Sequence, residues 1–416
     1  MKILLINKFY HDKGKAGGVG RHILELQKLL EKNGHEVIPF AMRQKETEPN
    51  DYLEFFPEEF ELGEIKFNFK GLKNVFKIFY NREAVRKLER IVRKTKPDVA
   101  HIHNIYHHLS PAILPVLKKY RIPVVMTVHD YKLICPNYLL FSKGKVCEKC
   151  ANGKYYKCFT NKCVKNSYAA SLVLTLEAYF VKVRKYYQNN VDLFIVPSRF
   201  MREKIIENGF DGEKIRYLPN FFETARSGIE NNNVRTEKYF LYFGRLSKEK
   251  GVDVLIKSLR YVDLKDYKLK IAGSGSEKRN LKSLAKSIGS EDKVEFLGYQ
   301  SGKKLNDLIS AADFVAVPSV WYENAPYSIL ESYAFGKPVI GARIGGIPEL
   351  IKQNETGATF ECGDERDLAE KIVNFIGNEK SVREMGQRGF EYLQEKFNGR
   401  NFYQELLKMY NEVVKK

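Results

Sequence analysis

A short apolar run, a turn and then an amphipathic helix follow one another from end to end of this 416-residue chain, and that alternation restricts it to parallel α/β architecture. The runs are Lys2–Ile6, Glu36–Phe40, Val99–His103, Val124–Val128 and Leu193–Val196. After a polar gap come Tyr239–Phe243, Lys268–Ala272, Val294–Leu297, Phe314–Val317 and Val339–Gly341. Parallel strands are joined by crossover helices that cover the sheet faces, in right-handed units. The first crossover is expected over Val19–Asn33, where apolar residues keep helical spacing until Asn33-Gly34 stops them. Two series of such units imply two doubly wound domains, which fits this length at roughly 100–200 residues per domain. The break falls in residues 223–237, poor in apolar residues and carrying three consecutive Asn, a linker composition. This assigns residues 1–222 to one domain and 238–397 to a second, with 398–416 as a closing helix that packs back on the first.

The two halves echo each other. "DLFIVPS" ends at Ser198 and "DFVAVPS" at Ser319, each a buried strand opening into Pro-Ser. In open α/β sheets ligands bind at the carboxyl ends of strands, so two facing domains would enclose a cleft.

Composition adds one constraint. Seventy Lys and Arg stand against 51 Asp and Glu, a formal charge of +19, in a chain of ordinary 44% hydrophobic content. Disordered and fibrous classes are excluded. The cations point to nucleic acid, an anionic membrane surface or phosphorylated ligands, or simply to solvated helix faces. Ile3–Ile6 is too short for a signal core, and the most apolar stretch, Ala169–Val183, is interrupted by Glu177 and Lys182. The expectation is a cytoplasmic protein, peripheral on the inner face of the plasma membrane.

Residues Val320–Ile351 read VWYENAPYSILESYAFGKPVIGARIGGIPELI. Glu323 and Glu331 are separated by seven residues, Pro326 is pre-set for a first helical turn, and Gly336 ends the helix. A helix opening here offers N–H groups to an anion, while the carboxylates suit sugar hydroxyls. On these residues the chain resembles the retaining glycosyltransferases of family 4. Their fold is GT-B, an α/β architecture of two Rossmann-like, doubly wound parallel-sheet domains facing across a cleft.

The resemblance assigns further segments. Gly244-Arg245-Leu246-Ser247-Lys248-Glu249-Lys250-Gly251 matches the family's pyrophosphate-binding stretch, where Arg245 and Lys250 would neutralise the departing diphosphate. Read alone, an Arg and a Lys five apart are more often solvated; as a fork and a point charge after one strand, they suit a diphosphate. Gly273-Ser274-Gly275 resembles a second donor loop and Gly17-Gly18-Val19-Gly20 a glycine loop near the donor phosphates, though either also reads as a plain turn. Glu323 would hold the donor sugar, Glu331 the ribose and Tyr299 the base. His129 in "TVHD" falls at a sugar-contacting position, and His103 in "HIHN" at the acceptor side. His101, His103, His107 and His108 also tempt a metal reading, against which stand histidines merely lining a strand end. Asn324-Ala325-Pro326 departs from the family's Gly/Ser-Phe-Gly; Asn324 and Ala325 remain donor-binding candidates. Front-face attack without a protein nucleophile is the family's mechanism, and no catalytic metal or other cofactor is implied.

Five of six cysteines lie between Cys135 and Cys163, in an insertion spanning 135–165. The spacing Cys147-x2-Cys150-x7-Cys158-x4-Cys163, in a Lys- and Gly-rich stretch without its own core, suits a structural zinc ion held by four thiolates. Reduced thiols on a loop, or Cys135 in place of one ligand, stay open. Two basic, aromatic segments, 66–96 and 165–185, read equally as ordinary domain helices or as surfaces for anionic lipid.

The function expected is transfer of a sugar from a nucleotide-diphosphate donor to a glycan, a lipid-linked or a cell-surface polysaccharide acceptor. The nearest rival is a GT-B epimerase of a UDP-sugar. A zinc-containing nucleic-acid binder is a poor fit, because the cations interleave with acids and no groove-reading module is present, so nucleic acid is excluded as a partner.

Overall fold

The computed structural model describes residues 1–10, 17–45, 47–60, 69–223 and 237–415. These divide into two compact units. The first comprises Met1–Lys143, Cys147–Pro219 and Phe402–Lys416, the second Asn220–Asn401 with Gly144–Val146. Linker residues 224–236, and residues 66–68 of the first basic segment, lie outside the described residues.

In the first unit, β1 (Lys2–Ile6), β2 (Glu36–Phe40), β3 (Val99–Ile102), β4 (Val124–Thr127), β5 (Leu193–Val196) and β6 (Ile215–Tyr217) form a sheet ordered β2-β1-β3-β4-β5-β6. In the second, β7 (Lys238–Phe243), β8 (Tyr267–Ala272), β9 (Val294–Gly298), β10 (Val315–Val317), β11 (Val339–Ala342) and β12 (Gly357–Phe360) are ordered β9-β8-β7-β10-β11-β12. Every pairing in both sheets is parallel. Central strands such as VAHI, VVMT and LFIV are buried at every position, as parallel strands covered on both faces must be.

The pattern of apolar runs located ten of these strands; β6 and β12, one edge of each sheet, escape it. β6 is the three residues Ile-Arg-Tyr, with Arg216 and Tyr217 half-buried, so it has no continuous apolar run. β12 opens on Gly357, where a Cβ would stand 2.1 Å from the Val339 carbonyl oxygen. That glycine is there for close approach to β11, and it disguises the strand as a turn.

The helices that matter below are α1 (Gly17–Lys32), α2 (Phe69–Phe79), α3 (Arg82–Thr95), α4 (Tyr168–Val183) and α5 (Tyr327–Ala334), followed by α6 (Glu379–Lys396) and α7 (Gly399–Val414). Ser167 caps α4, its hydroxyl accepting from the Ala170 N–H at 3.3 Å. No helix among the described residues is long and apolar enough to cross a membrane. The last residues complete the first unit: Tyr410 is fully buried there with its hydroxyl 2.6 Å from His101 Nδ1, and Glu412 pairs with Arg216 at 2.9 Å.

Glu177, which interrupts the apolar stretch in sequence, points inward from α4. It is buried against the ammonium of Lys132, itself nearly buried, with His107 Nδ1 3.7 Å away. Burial by itself would raise the Glu177 carboxyl, but Lys132 and then His107 bring it down to about 2. Its contribution to stability is therefore present above the unfolded carboxylate range and lost as pH falls towards 2. Replacing Glu177 by Gln leaves the Lys132 charge buried without its partner, which costs about 3–5 kcal/mol. A lowered thermal midpoint at pH 7, with the gap to wild type narrowing in acid, is the expected outcome.

Candidate active site

In the second unit the strand order places the topological switch between β7 and β10, whose crossovers depart in opposite directions. The segments leaving these two strands carry most of the candidate residues. After β7, Gly244–Gly251 runs to a left-handed Gly251 at φ +64°, where a Cβ would meet the Pro318 carbonyl oxygen at 2.0 Å. After β10, Pro318–Pro326 leads into α5, with Pro326 at the N-cap rather than inside the first turn. The Val320 N–H donates to the Glu249 carbonyl at 2.9 Å, tying the two segments together.

That tie aligns Lys250 with Glu323. Lys250 Nζ lies 2.6 Å from Glu323 Oε1, which also accepts from the Ser319 hydroxyl at 2.7 Å. The Lys250 ammonium stands 5.4 Å from the centre of the Trp321 ring, within cation–π range. Burial alone would raise the Glu323 carboxyl; Lys250, together with hydrogen bonds from Lys250 and Ser319, holds it below the usual carboxylate range. From the other side, the left-handed Gly345 presses on the Glu323 backbone, and Gly346 N–H donates to the Glu323 carbonyl at 2.8 Å.

Arg245 is on the same loop, largely exposed, and pairs with Glu249 at 3.1 Å. Glu249 also accepts from Ser247 Oγ at 2.6 Å. Gly273 and Gly275 follow β8 and are held against this loop: Cβ atoms there would lie 1.9 Å from the Gly244 oxygen and 2.1 Å from the Leu246 oxygen. The two glycine stretches thus form one close-packed backbone surface. Asn324 is buried, and the Ala325 carbonyl accepts from Asn220 Nδ2 at 3.3 Å. Glu331 is half-buried on α5, and Tyr299 is exposed just beyond β9.

The first unit has its own switch, between β1 and β3. Gly17, left-handed at φ +55°, and Gly18 open α1; residues 11–16 before them lie outside the described residues. His103 leaves the end of β3 and His129 the end of β4, and His103 Nδ1 is 2.8 Å from His129 Nε2. The two rings stack at 5.1 Å, His101 stacks on His103 at 4.4 Å, and His22 of α1 meets His103 and His129 edge-on. Burial dominates all four and lowers them, His22 to about 4 and His101 to about 3, so they are neutral at pH 7. His22, His103 and His129 each offer a nitrogen within 4.8 Å of the others, the one such group of potential metal ligands among the described residues. A metal there would have to displace the proton shared by His103 and His129. Asp130 is held as a local brace, accepting from Tyr106 Oη at 2.8 Å.

The motifs had singled out Lys250 and Glu323 separately; their direct pairing, the Ser319 and Trp321 contacts, Gly345 and His22 were not anticipated. Ser319 had a signal in the "VPS" echo, yet its counterpart Ser198 does different work, capping the helix at 199–207 through the Met201 N–H at 3.1 Å.

Two six-stranded parallel sheets, with charged loops at one switch point, define a glycosyltransferase of the GT-B fold. Residues 16–226 match the family model described as Glycosyltransferase Family 4, and residues 226–392 the model described as Glycosyl transferases group 1. This chain belongs to glycosyltransferase family 4. It is 25% identical over 431 positions to the N-acetyl-alpha-D-glucosaminyl L-malate synthase of Bacillus anthracis, covering 100% of this chain and 98% of that protein. It is 28% identical over 363 residues to an uncharacterized 42.6 kDa protein in the cps region of Klebsiella pneumoniae, covering 85% and 88%. Among solved structures, Anabaena HepE in complex with UDP and glucose superposes with a TM-score of 0.66 at 19% identity, covering 99% of this chain and 100% of that one.

The neutral histidine stack has a measurable consequence. Groups with depressed folded pKa values leave the unfolded chain to take up protons first, so stability falls as pH drops from about 6.5 towards the folded values. Calorimetry should show the unfolding midpoint falling between pH 6.5 and 4.5, with net proton uptake on unfolding at pH 5.5. A flat midpoint without proton uptake would contradict the neutral, buried stack.

Proposed function

We propose that this protein is a retaining transferase that moves a sugar from a nucleotide-diphosphate donor to a lipid-linked or cell-surface polysaccharide or glycolipid acceptor at the inner membrane face. The Lys250–Glu323 pair at the switch point is the observation that carries this reading. Without ligand each neutralises the other. A nucleotide sugar offers both a better partner: the diphosphate takes the Lys250 ammonium, and the sugar hydroxyls take the Glu323 carboxylate.

As the glycosidic bond to the diphosphate stretches, the leaving group gains negative charge and the sugar becomes oxocarbenium-like. Positive charge already fixed where that anion develops lowers the barrier. Lys250 is held in place by Glu323 and Trp321, and Arg245 on the same loop adds a second cation by exchanging Glu249 for phosphate. Glu323, kept ionised beside Lys250, fixes the ring through its hydroxyls without serving as a nucleophile. Glu331, Asn324, Ala325 and Tyr299 are assigned to the rest of the donor, with Gly17, Gly18, Gly273 and Gly275 at its phosphates. His129 and His103 are assigned to the sugar and the acceptor. UDP in the Anabaena relative favours a uridine donor, and relatives such as the Rhizobium meliloti lipopolysaccharide core glycosyltransferase favour a surface glycan as acceptor.

The membrane reading rests on α2 and α4. Phe79 and Phe180 pack edge to face at 5.7 Å, while Phe76, Tyr80, Leu172, Leu176 and Val183 stay exposed beside Lys182, Arg184 and Lys185. Apolar side chains rimmed by cations suit an anionic lipid surface.

Incubation with a panel of UDP- and GDP-sugars should give transfer or slow hydrolysis with retained anomeric configuration; an epimerised donor would instead support the epimerase. Lys250→Ala and Glu323→Gln should each lower kcat on the order of 10²–10³-fold. Flotation with liposomes should require anionic lipid and weaken with salt; binding indifferent to both would remove the membrane from this reading.

A further inference from the structure

Two features of the sequence take no part in the transfer chemistry, the cysteine-rich insertion and the basic segment 66–96. The cysteines do not gather. Among the described residues no three of their sulfurs lie within 4.8 Å of one another, so Cys147, Cys150, Cys158 and Cys163 do not stand as a formed ligand set. The arginines of the basic segment do gather. Arg82, Arg86, Arg90 and Arg93 recur every three or four residues along α3, which puts them on one face of that helix, and all four are exposed.

Like charges at this spacing repel one another, and among the described residues none of the four lies in an ion pair. The nearby acids are committed to lysines instead. Glu83 pairs with Lys87 at 3.2 Å, Glu89 with Lys119 at 2.7 Å and Glu54 with Lys94 at 3.3 Å. Arg90 stands over the Phe55 ring, 5.4 Å from its centre.

The row faces a depression. Arg82, Arg86 and Arg90 line a groove of about 1080 Å³ that Phe76, Phe79 and Tyr80 at the end of α2 also line. Arg90 further borders a second hollow of about 530 Å³ with Arg93 and Lys94. Phe76 and Tyr80 are exposed and Phe79 packs on Phe180 of α4, so the aromatic end of the groove continues onto the apolar face of α4. From Arg82 to Arg90 the helix rises about 12 Å, more than one phosphate group spans. Asn81, between the two helices, fixes the groove beside the segment that leaves β3 through His103. Its Nδ2 donates to the His108 carbonyl at 2.8 Å, and its backbone N–H to the Ser110 hydroxyl at 3.2 Å.

We propose that this groove holds the diphosphate end of a lipid-linked acceptor. The arginine forks take the phosphate oxygens, the apolar chain leaves over Phe76 and Tyr80 into the bilayer, and the glycan runs along the 103–110 segment towards His103. A phospholipid headgroup offers the row one anionic phosphate; a diphosphate on a single apolar chain offers two adjoining ones, which a row of forks grips together. The inference rests on the membrane reading of α2 and α4 and adds to it the chemistry of the carrier.

The test is flotation of the full chain with phosphatidylcholine vesicles carrying geranylgeranyl diphosphate, or phosphatidylglycerol at matched surface charge. Wild type should bind the diphosphate vesicles about tenfold more tightly or better. Arg86→Lys combined with Arg90→Lys keeps the charge and removes two forks, so the preference should fall to about threefold or less. Arg86→Ala combined with Arg90→Ala should abolish it. The lysine variant should still bind phosphatidylglycerol vesicles in a salt-sensitive way, which reports a folded protein. Equal binding of wild type to the two anionic vesicles overturns the carrier site and leaves the membrane reading standing, as does a preference that survives in the alanine variant. Binding to neither overturns both. Inorganic pyrophosphate, titrated calorimetrically, should bind about tenfold more weakly or worse than the vesicle-borne diphosphate; equal affinity overturns a lipid as its source.

Discussion

Two adjacent parallel strands whose crossovers leave in opposite directions open a gap at their carboxyl ends, and the rest of the second unit is arranged around that gap. β7 and β10 create it, and the loops they release are kept in register by glycines with no space for a side chain. Gly251 against Pro318, Gly273 against Gly244, Gly275 against Leu246 and Gly345 against Glu323 are all backbone-to-backbone approaches. These contacts let Lys250 and Glu323, 73 residues apart, meet at 2.6 Å. The pair results from backbone packing, and a methyl group at any of the four glycines would displace it.

The two units handle buried polarity in opposite ways. In the second, charge is retained and matched, Lys250 against Glu323. In the first, three stacked imidazoles and the edge-on His22 are neutral, and hydrogen bonds between His101 and the Tyr410 and Thr127 hydroxyls orient one end of the stack. The neutral stack places no net charge in its surroundings, whereas the matched pair holds two opposite charges side by side. Lys132 and Glu177 show the third option, a pair sealed inside the first unit that holds α4 to the loop after β4.

Much of the architecture was legible because parallel strands buried on both faces are written as uninterrupted apolar runs. The ten strands read from those runs include the edges β2 and β9, while β6 and β12, at the opposite edges, have no such run of their own. Lys250 and Glu323 were legible as motif residues because their loops follow strands, but their contact was not, since it depends on strand order rather than sequence distance. Glu177 read as an interruption because composition cannot tell an inward carboxylate from a solvated one; only Lys132, 45 residues earlier, makes it internal. His22 was invisible for the same reason, being one polar residue on the buried face of an otherwise ordinary helix.

The chain leaves the first unit at Pro219, builds the second, and returns with Phe402. Synthesis runs from the amino terminus, so the second unit, nearly contiguous from Asn220 to Asn401, is complete before the first. Until the ribosome delivers Tyr410, the inner edge of His101 has no hydroxyl to meet and Arg216 no Glu412. The histidine-bearing unit is thus assembled last, by the final turns of α7, and a ribosome that stops a few codons early releases a finished second unit joined to an unfinished first.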